Sequence, residues 1–190
     1  QETEYWSLRN ITKNTGITYE DAQKELCRLL RKSIKERMVS DVPIGAFLSG
    51  GIDSGTVVGL MSELSEKPVE TFTMGFREKE YDERNRARMV SGLNRTKHHE
   101  YILDFGQALE ELDKMLGQMD EPFADSSLLP SYFVSKFAAE NVKVILTGDA
   151  GDELFLGYSK YLIHYYSSLY HWFPKWIRTV FENIIWRLPD

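Results

Sequence analysis

Two short stretches of the chain combine residue types and spacings suited to chemistry on a polyphosphate. The first is Ser49-Gly50-Gly51-Ile52-Asp53-Ser54, which follows the apolar run Ile44-Gly45-Ala46-Phe47-Leu48 and leads into the helix-like Thr56-Val57-Val58-Gly59-Leu60-Met61. A strand that ends in small residues and turns into a helix leaves several backbone N–H groups aimed at one spot, where the helix dipole adds its positive end. Such a spot binds phosphate. Gly50 and Gly51 let an anion reach the main chain, while Ser49 and Ser54 add hydroxyl donors. Asp53 would repel phosphate unless a cation stood between them, so the loop reads as a site for a polyphosphate with Mg²⁺.

The second stretch is Thr147-Gly148-Asp149-Ala150-Gly151-Asp152-Glu153-Leu154-Phe155, directly after the apolar Val142-Lys143-Val144-Ile145-Leu146. Asp149, Asp152 and Glu153 crowd into a few positions, and like charges that close are held most cheaply by a divalent cation or a proton. Asp53 and Asp152 are the expected magnesium ligands. An acidic first helical turn that complements the dipole is the alternative explanation of Asp152 and Glu153.

Two other phosphate loops are excluded. No Lys follows the glycines, as G-x-x-x-x-G-K-[ST] requires, and Gly50, Gly51 and Gly55 do not have the spacing of G-x-G-x-x-G. The six-residue string resembles instead the S-G-G-x-D-S pyrophosphate loop of the N-type ATP pyrophosphatases. Those enzymes cleave ATP between its α and β phosphates.

The elements that must position these residues follow from periodicity. Residues 18–39 form an amphipathic helix, with Thr18 as cap, Asp21 three positions on, and Ala22, Leu26, Leu29, Leu30, Ile34 and Met38 at helical spacing. Its Lys and Arg residues read as a solvated face. After Pro43, strands are expected at 44–48, 69–76, 97–103 and 142–147, and helices at 55–65, 82–92, 105–118, 128–140 and from 152 onward. The first and fourth strands are nearly all apolar, as in strands buried on both faces. This alternation predicts an α/β fold: an open, mostly parallel sheet with helices on both faces and ligands at the carboxyl ends of its strands. His98 and His99 are neighbours on a strand, so they point to opposite faces and are not expected to share a metal.

With 190 residues the chain can bury one core, and 42% hydrophobic with 27% charged residues is ordinary for a soluble globular protein. A net charge of −6 argues against a broad nucleic-acid face. Cys27 is the only cysteine, so no intrachain disulfide forms, and no signal peptide or bilayer-spanning run is visible. The reading is a soluble, cytoplasmic protein without nucleic-acid or membrane partners. From Tyr158 to Trp186 the chain carries ten aromatics, around a break at Pro174. Tyr161, Tyr165, Trp172, Trp176 and Trp186 are expected to form a surface that further parts of a larger protein would cover.

Together these stretches resemble the synthetase domain of the glutamine-dependent asparagine synthetases. The resemblance runs through Val42-Pro43-Ile44-Gly45, the pyrophosphate loop, Thr71-Phe72-Thr73-Met74-Gly75-Phe76 and His98-His99-Glu100. It continues through Asp120-Glu121-Pro122-Phe123-Ala124-Asp125-Ser126-Ser127 and closes with Leu146 to Phe155. It implies an adenine-nucleotide α-hydrolase-like fold with ATP and Mg²⁺ as ligands. Residues 1–160 would be the synthetase domain with its N-terminal helix, and 161–190 the truncated start of a helical region.

By the same resemblance, Ser49, Gly50, Gly51, Asp53 and Ser54 hold the pyrophosphate and its metal, with Asp152 as second metal ligand. Leu48, Met74 and Gly148 frame the adenosine. Asp149 manages the proton of the incoming amine, and Asp125, Ser126 and Ser127 face the acceptor. The implied substrates are aspartate and ammonia, the latter drawn from glutamine by a glutaminase domain. That domain starts with a catalytic Cys and is expected to be missing here, as is a later catalytic lysine. Homo-oligomerisation stays open. The chain departs from the family's F-G-G-Y at Phe155-Leu156-Gly157-Tyr158. That departure leaves open a related adenylating synthetase acting on another acid, such as a β-lactam synthetase or a sugar-acid amidotransferase. A non-catalytic ATP-binding module is the alternative from another class, which the acid cluster argues against.

Overall fold

A computed structural model describes residues 3–12, 15–77, 82–121, 125 and 127–179. The chain divides into two compact units, Gln1–Thr147 and Gly148–Asp190.

In the first unit, a 3-10 turn at Leu8–Asn10 precedes α1, Tyr19–Arg37. Thr18 caps α1: its Oγ1 accepts from the Asp21 N–H over 3.2 Å, and its hydroxyl donates to the Asp21 carboxylate over 2.8 Å. The sheet comprises β1 (Ile44–Phe47), β2 (Glu70–Gly75), β3 (Lys97–Ile102) and β4 (Val144–Leu146). Between them run α2 (Ile52–Leu64), α3 (Arg84–Asn94), α4 (Phe105–Leu116) and α5 (Leu128–Ala138). Strand order is β3-β2-β1-β4, and each neighbouring pair is parallel.

Helices cover both faces of the sheet. On one face, Ile34 of α1, Val58 and Met61 of α2 and Ala87 of α3 pack with Ala46, Leu48, Val69 and Leu146. On the other, Phe72 packs with Ala138, Val142 and Phe137, and Leu103 with Ala108 of α4 and Phe133 of α5. This is the open α/β sheet that the alternating pattern predicts. The basic face of α1 is exposed, with Arg31 reaching Glu63 of α2.

One expectation is corrected. β4 packs on both faces only at Ile145 and Leu146, and Val144 at its start is 37% exposed. It pairs with β1 alone among the described strands, so its apolar sequence meets a neighbour on one side only.

The order also locates the topological switch point of the sheet. From β1 the chain builds outward to β2 and β3, then returns to place β4 on the opposite side of β1. At such a switch point, loops leaving the strand ends diverge, and ligands bind outside the carboxyl ends. The Ser49–Ser54 loop stands there.

The second unit contains α6, Gly151–Phe155, and α7, Ser159–Trp172. Tyr165, Tyr166, Trp172 and Trp176 are exposed, the last two at 87% and 70%. Trp186 lies outside the described residues. No helix among the described residues is long and apolar enough to cross a membrane.

Candidate active site

The chain leaves β1 under tight control. The Leu48 N–H donates to the Phe72 carbonyl over 2.9 Å, and the Leu48 carbonyl accepts from the Thr73 hydroxyl. The Leu48 side chain sits in the core beside Ala46 and Val58, so the group it leaves for further bonding is the carbonyl's second lone pair. Met74 is half-buried on β2, packed against Leu103, Ala108 and Phe133.

The loop is closed by its own hydroxyls. Ser49 Oγ lies 2.9 Å from Ser54 Oγ, and the Ser49 N–H also donates to Ser54 Oγ over 3.3 Å. The Gly51 N–H donates to Ser49 Oγ over 3.2 Å. Ser54 is only 9% exposed and acts as the internal post of the loop, whereas Ser49 is exposed. Gly50 has φ +79°, a left-handed conformation that favours glycine. A Cβ on it would stand 2.5 Å from the Arg86 Cβ and 2.7 Å from the Ala87 N, so the loop lies directly on the first turn of α3.

Gly51 is the extended N-cap of α2, and the Gly55 N–H donates to its carbonyl over 3.0 Å. The N–H groups of Ile52, Asp53 and Ser54 precede the helix's own hydrogen-bond ladder and open outward at the dipole's positive end. This arrangement is chemically suited to a phosphate. Asp53 is half-buried in the same turn and has no ion-pair partner among the described residues. No group of three or more His, Cys, Asp or Glu among the described residues could hold a metal unaided. A magnesium ion that takes one or two carboxylates and completes its sphere with phosphate oxygens and water fits this donor set.

In the second unit, the Gly148 carbonyl accepts from the Gly151 N–H over 3.3 Å, which tightens the turn carrying exposed Asp149. Ala150 and Leu156, at φ 70° and 59°, bracket the five residues of α6 in left-handed conformations. Asp152 is half-buried, and its carbonyl accepts from the Gly157 N–H over 3.0 Å. Its carboxylate presses so closely on Gly157 that any Cβ there would collide with it. Glu153 is committed locally: the Tyr158 hydroxyl donates to it over 2.7 Å. That bond holds the Glu153 carboxyl below its ordinary range and pushes the Tyr158 phenol up to about 12. The Lys160 ammonium lies 4.2 Å over the Tyr158 ring.

The expected acceptor residues are divided. Asp125 takes the Ser127 N–H over 2.8 Å, which holds its carboxyl low, and shapes the entry to α5. Ser127 is the exposed N-cap of α5, and Ser126 lies outside the described residues, as do Pro122, Phe123 and Ala124. His98 and His99 diverge as expected. His98 Nδ1 is 3.0 Å from the Thr71 hydroxyl, whereas His99 stacks on Phe72 with ring centres 5.0 Å apart. Burial pushes the His98 imidazole below its usual range, against the pull of Glu100.

Sequence reasoning missed Thr73 and Arg86. The only signal for Thr73 was the alternation of Thr71 and Thr73 with Phe72 in a central strand, and both threonines are buried.

The asparagine synthase family profile matches residues 25–188. A Methanocaldococcus jannaschii protein, assigned by name alone to glutamine-hydrolysing asparagine synthetase, is 44% identical over 154 residues, covering 80% of this chain and 30% of its own length. Asparagine synthetase [glutamine-hydrolyzing] 1 of Bacillus subtilis is 36% identical over 138 residues, covering 73% of this chain and 22% of its own. Among solved structures, the chain is similar to NH3-dependent NAD synthetase from Campylobacter jejuni at 18% identity and a TM-score of 0.45, covering 75% of this chain and 62% of that one. The chain thus spans under a third of the length of these two sequence relatives. With the family profile matching residues 25–188 of its 190, the chain belongs to the asparagine synthase family.

Proposed function

We propose that the chain is the ATP-binding part of an amide-forming synthetase that activates the side-chain carboxylate of aspartate. A carboxylate oxygen attacks the α-phosphorus of ATP, the bond from that phosphorus to the bridging oxygen breaks, and pyrophosphate leaves. Ammonia then attacks the acyl carbon of the adenylate, AMP departs, and asparagine results. The observation that carries this reading is the Ser49–Ser54 loop: hydroxyl-closed, glycine-opened and capped by the free N–H groups of α2, at the switch point of the sheet, in a chain of this family.

Ser49, Gly50, Gly51 and the first turn of α2 hold the polyphosphate, and Ser54 keeps the loop in shape. Leu48, Met74 and Gly148 frame the adenosine. Asp53 and, from the resemblance, Asp152 are the proposed magnesium ligands, and the ion would neutralise charge on the departing pyrophosphate. Asp149 takes the proton released by the amine, and Asp125, Ser126 and Ser127 are the proposed acceptor-binding residues. Fixed N–H donors stabilise developing charge without reorganising, and positioning does much of the rest. The glutaminase that supplies ammonia, and the remaining length of the relatives, would be the partners.

Asp53→Asn and Asp152→Asn test the metal assignment by calorimetry. Each is expected to weaken Mg-ATP binding while the fold persists, and the double variant to be little worse than either single one. Unchanged affinity in Asp152→Asn would leave that residue as a helix-end charge. A second reading, the same adenylation on a different acid, is favoured by Leu156. Its exposed side chain stands where the family carries glycine. Acceptor-dependent ATP–pyrophosphate exchange, screened across acids in the full-length protein, separates the two.

A further inference from the structure

The first turn of α3 touches the loop, and Arg86 is the side chain rooted at that contact. Helical side chains lean toward the helix amino terminus. Since α3 follows β2, that terminus stands at the carboxyl edge of the sheet, where the loop lies. The flanking arginines are occupied: Arg84 makes two 2.8 Å bonds to Asp82, and Arg88 two 2.6 Å bonds to Glu100. Arg86 is exposed, and its side chain makes no hydrogen bond or ion pair with any described residue. The chain as a whole carries a net charge of −6, which repels a polyanion, so a cation at the loop itself matters more.

Resting on the function proposed above, we infer that Arg86 is a pyrophosphate-recognising residue of this chain. Its guanidinium pairs in a fork with non-bridging oxygens of the polyphosphate seated on Ser49–Ser54, and it keeps hold of pyrophosphate as that group separates from the α-phosphate. The flanking ion pairs brace the turn from which it reaches, with Arg84 and Arg88 held and Arg86 left available.

Calorimetric titration of the chain with inorganic pyrophosphate and Mg²⁺ tests this in the wild type, Arg86→Met, Arg86→Lys and, as a charge-matched control on the exposed face of α1, Lys32→Met. Arg86→Met is expected to weaken pyrophosphate roughly tenfold or more, with Arg86→Lys intermediate and Lys32→Met unchanged. AMP binding should be equal in all four. Pyrophosphate affinity in Arg86→Met within about twofold of the wild type overturns the inference and leaves the loop assignment standing. A wild-type chain that fails to bind pyrophosphate overturns the loop assignment first, and the inference with it.

Discussion

The hydroxyls of Ser49 and Ser54 lie 2.9 Å apart and join the two ends of the six-residue loop after β1. Because Ser54 also takes the Ser49 N–H, one buried side chain fixes where the loop begins and where α2 starts. The serines of the motif therefore divide their work. Ser54 holds the shape, and Ser49 stays exposed at the surface of the loop.

Removing the post should cost more than removing the exposed donor. Ser54→Ala leaves the Ser49 N–H without its partner, and about 1–2 kcal/mol of stability should be lost. Ser49→Ala, at an exposed position, should cost a few tenths of a kcal/mol at most while still weakening pyrophosphate binding. Urea unfolding alongside calorimetry separates the two, and equal stability losses would contradict the division.

Leu156 closes α6 at φ 59°, where a β-carbon is strained, and it is 68% exposed, so little burial is at stake. Leu156→Gly should therefore stabilise the turn by about 1 kcal/mol. Slower amide exchange across residues 152–157 would report it. Faster exchange would show that the leucine is held by contacts that outweigh the strain.

Burial lowers the His98 imidazole below its ordinary 6.5, so between the two values the unfolded chain binds more protons than the folded one. Stability from this residue is complete above the unfolded value and is lost as pH falls through the window beneath it. Glu100 beside it, and Glu70 beside His99, lose their contribution in a lower window. Glu100 is held low chiefly by Arg88, and Glu70 by Lys97 and His99 against the opposing effect of burial. Urea unfolding at about pH 7.5 and about pH 5.5 should show a smaller acid loss in His98→Gln than in the wild type. Identical losses would remove His98 from the account.

Much of this was legible from residue order. Thr18 with Asp21 marked the start of α1, alternation after Pro43 gave the parallel sheet, and adjacency on one strand separated His98 from His99. The loop is legible too, but periodicity alone places its helix from 55, whereas Gly51 extends to φ −74°, ψ 170° and caps a helix that begins inside the motif. The bond from Thr73 to the Leu48 carbonyl and the seat of Gly50 on Arg86 join residues far apart in sequence. Local propensity carries no trace of such contacts, because register and crossover packing create them. The exposure of β4 was hidden for the same reason: an apolar strand reads alike at the centre of a sheet and at its edge.

The central claim is that Ser49–Ser54 is a pyrophosphate site within an ATP site. Calorimetric titration of Mg-ATP into the chain, repeated with saturating inorganic pyrophosphate and compared with AMP, tests it most directly. The account predicts one Mg-ATP site that pyrophosphate abolishes and AMP fills only weakly. Mg-ATP affinity that saturating pyrophosphate leaves unchanged would contradict it.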